Sequence, residues 1–274
     1  MRDRRFWPAN ERVAHESLAG QVDLPSVAGE IRQVKGLFAD LCCSLEDGQR
    51  DKQLLFGHAF KVLEAADGWA FGFDLADSYV GYLHEAALGA YQAPTHRVAC
   101  LSSHIYAAPD VKSPDLRQLS YGSLLALSGR REGAWCALDG GGWVIDKHIA
   151  PLDEPGLDWV AEAERFLGVA YLWGGDSSRG IDCSGLIVAA MRAAGRDCPR
   201  DSDLQEAAFA ETTGALQRGD LVFWKGHVGI MTDGETLLHA NAYHMAVAKE
   251  PLAEAIERIG NLEFGAVTKM ARPS

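Results

Sequence analysis

Hydrophobic and polar positions follow two different periods along this chain. From about residue 31 to residue 150 the apolar residues come in short alternating runs broken by Gly and Asp, as in Leu54–Leu63 (LLFGHAFKVL), Leu119–Ser128 (LSYGSLLALS) and Tyr79–Leu83 (YVGYL). Period-two alternation with frequent breaks predicts short strands at spacings that suit small barrels. Past Ala150–Asp158 (APLDEPGLD), a linker with two prolines, a glycine and three acids, the period lengthens. Trp159, Val160, Ala163, Phe166 and Leu167 predict a helix over Leu157–Leu167 with Asp158 as its cap, and LIVAAMRAA predicts a second helix stopped at Gly195. Gly219–Met231 (GDLVFWKGHVGIM) then reads as two strands around a turn, and TLLHAN as another strand. Asn10–Ala19, between Pro8 and Pro25, is expected to form a short helix in an otherwise irregular N-terminal arm.

The strand-rich half repeats itself. The aromatic–Gly pair of Phe56-Gly57 recurs at Tyr121-Gly122, Asp67-Gly68-Trp69 recurs at Glu132-Gly133-Ala134-Trp135, and YVGYL is echoed by Gly142–Ile145 (GWVI). The offset of about 65 residues is that of two copies of one small β unit, not of a solenoid. Pro109–Pro114 (PDVKSP) reads as a turn-rich insertion in the second copy, and Trp69 and Trp143 as core. The expected organisation is α+β and multidomain: an arm over 1–30, a first barrel over 31–92, a second over 93–152 and a larger domain over 153–274.

Composition narrows the function classes. The chain has 274 residues, net charge −12 at pH 7 and 47% hydrophobic residues. That acidity argues against nucleic acid and against electrostatic binding to anionic membranes. No apolar run approaches the ~20 residues of a membrane helix. The first twenty residues hold no apolar signal core, which predicts a cytoplasmic protein. The six cysteines (42, 43, 100, 136, 183 and 198) are irregularly spaced without a CxxC pair, so free thiols are expected rather than a disulfide framework. No sequence-local ligand pair supports a metal, and no cofactor is expected.

The chemistry concentrates in Tyr171–Leu186, YLWGGDSSRGIDCSGL. Gly174 and Gly175 permit a tight turn after Tyr171 and Trp173, and Asp182-Cys183-Ser184 then open the second helix. The helix N-terminus there is expected to favour a thiolate at Cys183. His227 opens a strand and His239 lies on the next, so a cysteine precedes two histidines on successive strands. That is an order for nucleophilic catalysis in which Cys183 attacks, His227 carries the proton and His239 orients His227.

The pieces YLWGG, DCSGL, GDLVFW, HVGI and LLHA resemble the NlpC family of papain-like cysteine peptidases, which cut bacterial cell-wall peptides; the likeness runs from about Leu157 to Ser274. The repeated half resembles bacterial SH3-like barrels. The resemblance implies a γ-D-glutamyl–diamino acid endopeptidase with Cys183, His227 and His239 as its triad, acting on murein peptides with a free N-terminal L-Ala, in cell-wall peptide recycling. It makes Asp182 the partner of the substrate amine, although Asp182 also suits a helix cap. Ser202 matches a substrate-contacting serine of an R-x-S-x-x-Q segment, while Asp201 or Ser202 equally suits the cap of the helix that follows. Trp173, Ser184 and Asp201 are further candidates for substrate contact. In family members with two barrels the first one sends an aromatic hydroxyl and an acid toward the cleft; Tyr79 matches the aromatic, but His58 stands where the acid is usual, and a neutral imidazole attracts an ammonium less. The competing readings are another amidase or acyltransferase on the same scaffold, and a non-catalytic wall-binding protein.

Overall fold

The structure, a computed structural model, describes residues 2–45, 48–156 and 158–273. The chain divides into two compact units, Met1–Leu152 and Asp153–Ser274.

In the first unit a seven-stranded antiparallel sheet takes in Glu30–Val34 to Leu88–Ala90, with Arg50–Leu55 at one end of the strand order and Leu88–Ala90 at the other. Its inward positions, Val34, Leu41, Leu54, Phe60 and Leu83, are shut off from solvent. A register shift between Val62 and Glu64 lets two consecutive residues, Val62 and Leu63, both be buried. Residues 96–151 form a five-stranded and a three-stranded sheet around Val98, Leu119, Leu125 and Val144. Trp143 is buried here, whereas Trp69 is only half-buried and stacks on His84 with centroids 3.9 Å apart.

The expected helix at Asn10–Ala19 is absent. Ala14–His15 instead pairs in parallel with Ser26–Val27, followed by one 3-10 turn, Glu16–Leu18. The reason lies in the side chains. Asn10 Oδ1 accepts from the backbone N–H groups of Arg12 and Val13, a local turn that competes with helix, while Asn10 and Arg12 both bond the Glu64 carboxylate of the sheet.

The second unit is built on a five-stranded antiparallel sheet. Its strands are β1 (Leu221–Trp224), β2 (His227–Met231), β3 (Thr236–Asn241), β4 (Ala246–Pro251) and β5 (Lys269–Ala271), in the spatial order β4-β3-β2-β1-β5. The helices are α1 (Trp159–Glu164), α2 (Cys183–Ala193), α3 (Ser202–Ala208) and α4 (Leu252–Leu262). All residues of β1 and β2 are buried, and α2 is buried almost all round, which fits its unbroken apolar sequence. Leu252, Ala255 and Ile259 of α4 pack with Val222, Trp224, Met231 and Leu237 of the sheet.

Asp158 caps α1, its Oδ1 accepting from Val160 and Ala161 N–H at 3.0 and 3.2 Å. This helix is shorter than the spacing predicts: it stops at Glu164, Leu167 is exposed, and Leu157 lies outside the described residues. Gly168, at φ +83°, turns the chain so that its N–H meets Val247 O, trading further helix for bonds to the edge of β4.

Candidate active site

Cys183 is the first residue of α2, and its backbone N–H is among those a helix start leaves without an intrahelical partner. The preceding turn is tied down by the backbone: Leu172 N–H donates to Ile181 O, Ile181 N–H to Ala170 O and Asp182 N–H to Gly175 O. The Cys183 side chain is buried, and the backbone N–H of Val228, the residue after His227 on β2, is among the groups that favour negative charge on its sulfur. Burial, aided by the Asp182 charge, pushes the thiol up to about 12. This corrects the expectation of a resting thiolate. A helix terminus contributes about 0.3–1 kcal/mol, whereas full burial can move a pKa by about 3–5 units, so burial wins.

His227 and His239 are also buried. The β2–β3 pairing brings His227 Nε2 to 2.9 Å from His239 Nδ1. His239 Nε2 in turn lies 2.6 Å from Glu250 Oε1, and Arg258 of α4 donates to the same carboxylate oxygen at 2.5 Å. Arg258 also bonds Glu263 and lies over the Tyr243 ring. Burial lowers His227 to about 3; it lowers His239 too, against the opposing pull of Glu250. Burial raises the Glu250 carboxyl, but the bonds from His239 and Arg258 outweigh it and leave it lowered. Cys183, His227 and His239 are therefore neutral at pH 7 and Glu250 is ionised.

The Asp182 carboxylate is bonded on both oxygens within the protein. Its Oδ1 accepts from Gly185 N–H (2.6 Å), Ser184 Oγ (3.2 Å) and Arg200 Nη1 (3.0 Å), and its Oδ2 from Gly174 N–H (3.0 Å) and Arg200 Nη2 (2.9 Å). Five donors fill the lone pairs of one carboxylate, and the Arg200 guanidinium, buried and shared with Asp176, neutralises it. Asp182 is the cap of α2, one of the two roles expected of it, and the anchor of the 174–176 turn. Ser184 is likewise engaged inward, accepting from Arg200 Nη1 at 2.8 Å.

The other candidates lie on different elements. Trp173 is 61% exposed at the surface of the 171–175 turn. Asp201 holds the N-cap position of α3 without a capping side-chain bond, and Ser202 is that helix's half-buried first residue. Tyr79 and His58 belong to the first unit. Tyr79 is 2% exposed in the sheet's core cluster, and His58 Nε2 lies 3.3 Å from Gly122 O.

Several site residues escaped the sequence reading. Tyr171 is near enough to Cys183 for the sulfur's charge to raise its hydroxyl, after burial, well above the ordinary range. Phe264, beyond α4, stacks on His227. Glu250 and Arg258 extend the histidine pair. Among the described residues the donor atoms of His239, His244 and Glu250 fall within 4.8 Å of one another, a spacing open to a metal ion. Arg258 on Glu250 already supplies the positive charge there, so the arrangement is a hydrogen-bonded chain.

Residues 168–257 match the NlpC/P60 family model, and residues 43–88 the bacterial dipeptidyl-peptidase Sh3 domain. The chain thus carries a papain-like NlpC/P60 domain preceded by a bacterial SH3-like domain. It is 34% identical over 108 residues to the gamma-D-glutamyl-L-lysine dipeptidyl-peptidase of Bacillus subtilis (strain 168), covering 36% of each chain. It is 36% identical over 87 residues to the probable endopeptidase p60 of Listeria seeligeri, covering 30% of this chain and 17% of that one. The matches thus span about a third or less of these relatives' length. A crystal structure of an NlpC/P60 family protein from Bacillus cereus ATCC 10987 superposes with a TM-score of 0.75 over 89% of this chain and 99% of that one; at 19% identity the likeness is one of fold.

Proposed function

We propose that the protein is a cysteine peptidase that hydrolyses the γ-D-glutamyl–diamino acid bond of short murein peptides with a free N-terminal L-Ala, within cell-wall peptide recycling in the cytoplasm. The observation that carries this reading is Cys183, buried at the head of α2 against β2, on the same sheet as the bonded pair His227–His239. The Bacillus subtilis relative, a gamma-D-glutamyl-L-lysine dipeptidyl-peptidase, supports the substrate class; the diamino acid is lysine or diaminopimelate.

Both reacting groups rest neutral, so proton transfer accompanies attack. As the Cys183 sulfur bonds to the γ-carbonyl carbon, its proton passes to His227, and the carbonyl oxygen becomes an oxyanion held by the Cys183 backbone N–H. The C–N bond then breaks and the departing amine takes the proton from His227. Water attacks the thioester, giving a proton to His227 that returns to the sulfur as L-Ala-D-Glu leaves. The site requires no metal or organic cofactor.

The preference for a free amine rests on the resemblance, which sets Asp182 beside the substrate ammonium while it also caps α2. The test is a paired digestion. Wild type and Cys183→Ala each receive L-Ala-γ-D-Glu-diaminopimelate, its lysine counterpart, the N-acetylated forms and intact sacculi, with products read by mass spectrometry. Cleavage of free peptides by wild type only is expected. Equal cleavage of acetylated peptide removes the amine preference, comparable activity on sacculi removes recycling, and no cleavage at all removes the peptidase reading.

A further inference from the structure

The hydrogen bond between His227 and His239 has two possible directions, and only one of them yields a base. If His239 Nδ1 carries the proton, it donates to His227 Nε2, and a neutral His227 then carries its own proton on Nδ1, where it has no lone pair for a thiol proton. If His227 Nε2 carries the proton, Nδ1 is a lone pair. The distance of 2.9 Å suits both. The choice is made one residue further out. Glu250 Oε1 receives Arg258 at 2.5 Å and lies 2.6 Å from His239 Nε2. An ionised carboxylate only accepts, so His239 Nε2 must donate. A neutral imidazole has one proton, so His239 Nδ1 is then the acceptor and His227 Nε2 the donor.

We propose that Glu250 is a positioning residue that sets the direction of this relay: by accepting from His239 Nε2 it commits His227 Nδ1 to be the basic nitrogen of the site. The proposal rests on the peptidase reading for its consequence, but its central claim concerns tautomers and stands apart from turnover. Strand register delivers the contact. His239 pairs with Ala248 and Leu237 with Glu250, so Leu237, His239 and Glu250 share one face. On that face α4 contributes Leu252, Ala255 and Ile259 to the packing around Leu237, and Arg258 to the Glu250 carboxylate. Arg258 is itself fixed by Glu263 and by the Tyr243 ring, so Glu250 is held ionised and aimed. Charged and titratable groups facing the relay are His227, His239, His244, Arg258 and Glu263.

The test has a spectroscopic and a kinetic arm. The full chain, carrying Cys183→Ala to keep it inert, is labelled with nitrogen-15 histidine and its imidazole tautomers are read at pH 7.5. Expected is protonation at Nε2 of both His227 and His239; a proton on His239 Nδ1 overturns the proposal whatever the activity. In the Cys183 background, Glu250→Gln keeps an acceptor for both Arg258 and His239 and is expected to hold kcat within about fivefold, while Glu250→Ala lowers kcat about a hundredfold with KM unchanged. Removing the carboxylate charge in Glu250→Gln also removes an influence that raises His227, so the acid limb of its pH–rate profile moves to lower pH. If Glu250→Ala keeps wild-type kcat, or loses activity only in step with its melting temperature while the tautomers stay put, Glu250 is structural and the proposal fails. If wild type cleaves no murein peptide, the spectra still decide the direction of the relay.

Discussion

Phe264 lies flat against His227, ring centroids 5.4 Å apart and 11° from parallel, and Trp224 flanks the same imidazole at 5.7 Å. Two aromatic neighbours exclude the water that would solvate an imidazolium, which is why burial dominates the fall of His227 to about 3. Phe264→Ala opens one side to solvent. Its effect is expected in the acid limb of kcat/KM, which moves to higher pH as His227 rises toward its ordinary 6.5. Rate profiles of the two proteins between pH 4 and 8 check this, and coincident acid limbs would leave Phe264 no part in tuning the base. At this scale Cys183, His227 and His239 were legible in the sequence because each lies at a marked place on a marked element. Glu250, Arg258 and Phe264 were not, since they meet the histidines only through sheet register and the path of the chain after α4.

At the scale of elements, the first turn of α2 shows why a cysteine there needs a glycine two residues on. A Cβ on Gly185 would stand 2.6 Å from Gly175 O and 3.0 Å from both Asp176 Oδ1 and Asp182 Oδ1. The backbone of the 174–176 turn closes directly on the helix, and Asp182 and Arg200 knit the two together. Gly185→Ala must push them apart. It is expected to destabilise the fold by about 1–3 kcal/mol, as overpacking does, and to lower kcat by displacing the turn that carries Cys183. Thermal unfolding and turnover measured together test it; an Ala variant with both unchanged would mean the turn yields without cost. The sequence announced α2 through LIVAAMRAA and its cap through Asp182. It could not show that Asp182 also binds Arg200, eighteen residues on, because only the returning loop after Gly195 brings that guanidinium back.

For the whole molecule, two kinds of group make stability fall with acid. His227 and His239 in one unit and His148 in the other are lowered by burial. Below their unfolded value of 6.5 the unfolded chain takes up protons that the folded chain refuses, so stability declines as pH drops past that point. Glu64 is lowered chiefly by its bond from Arg12, and Asp220 by Arg272 against the opposing effect of burial. Their contribution is complete above the ordinary carboxylate range and is lost as pH falls through their lowered values. Melting temperature is therefore expected to be level from pH 8 to 7, to fall below about 6.5 and to fall more steeply below about 4. Calorimetry at pH 7.5, 5.5 and 4.0 checks this, and a constant melting temperature across that span would contradict it.

The sequence by itself determined the division into a strand-rich half and a helix-bearing half, since a period of two and a helical period are local properties of neighbouring residues. It also marked the chemistry, because a cysteine at a helix start and histidines on consecutive strands are visible from composition and order. Local pattern misjudged Asn10–Ala19, where bonds to Glu64, far along the chain, outweigh a weak helical spacing. Protonation was decided by the tertiary structure alone. A helix N-terminus is local and argues for a thiolate at Cys183, but desolvation depends on everything packed around the sulfur and keeps it a thiol. The tertiary structure also assigned the partners of Asp182 and set Glu250 behind His239, because charge pairs and relays are made by groups that only folding brings within hydrogen-bond reach.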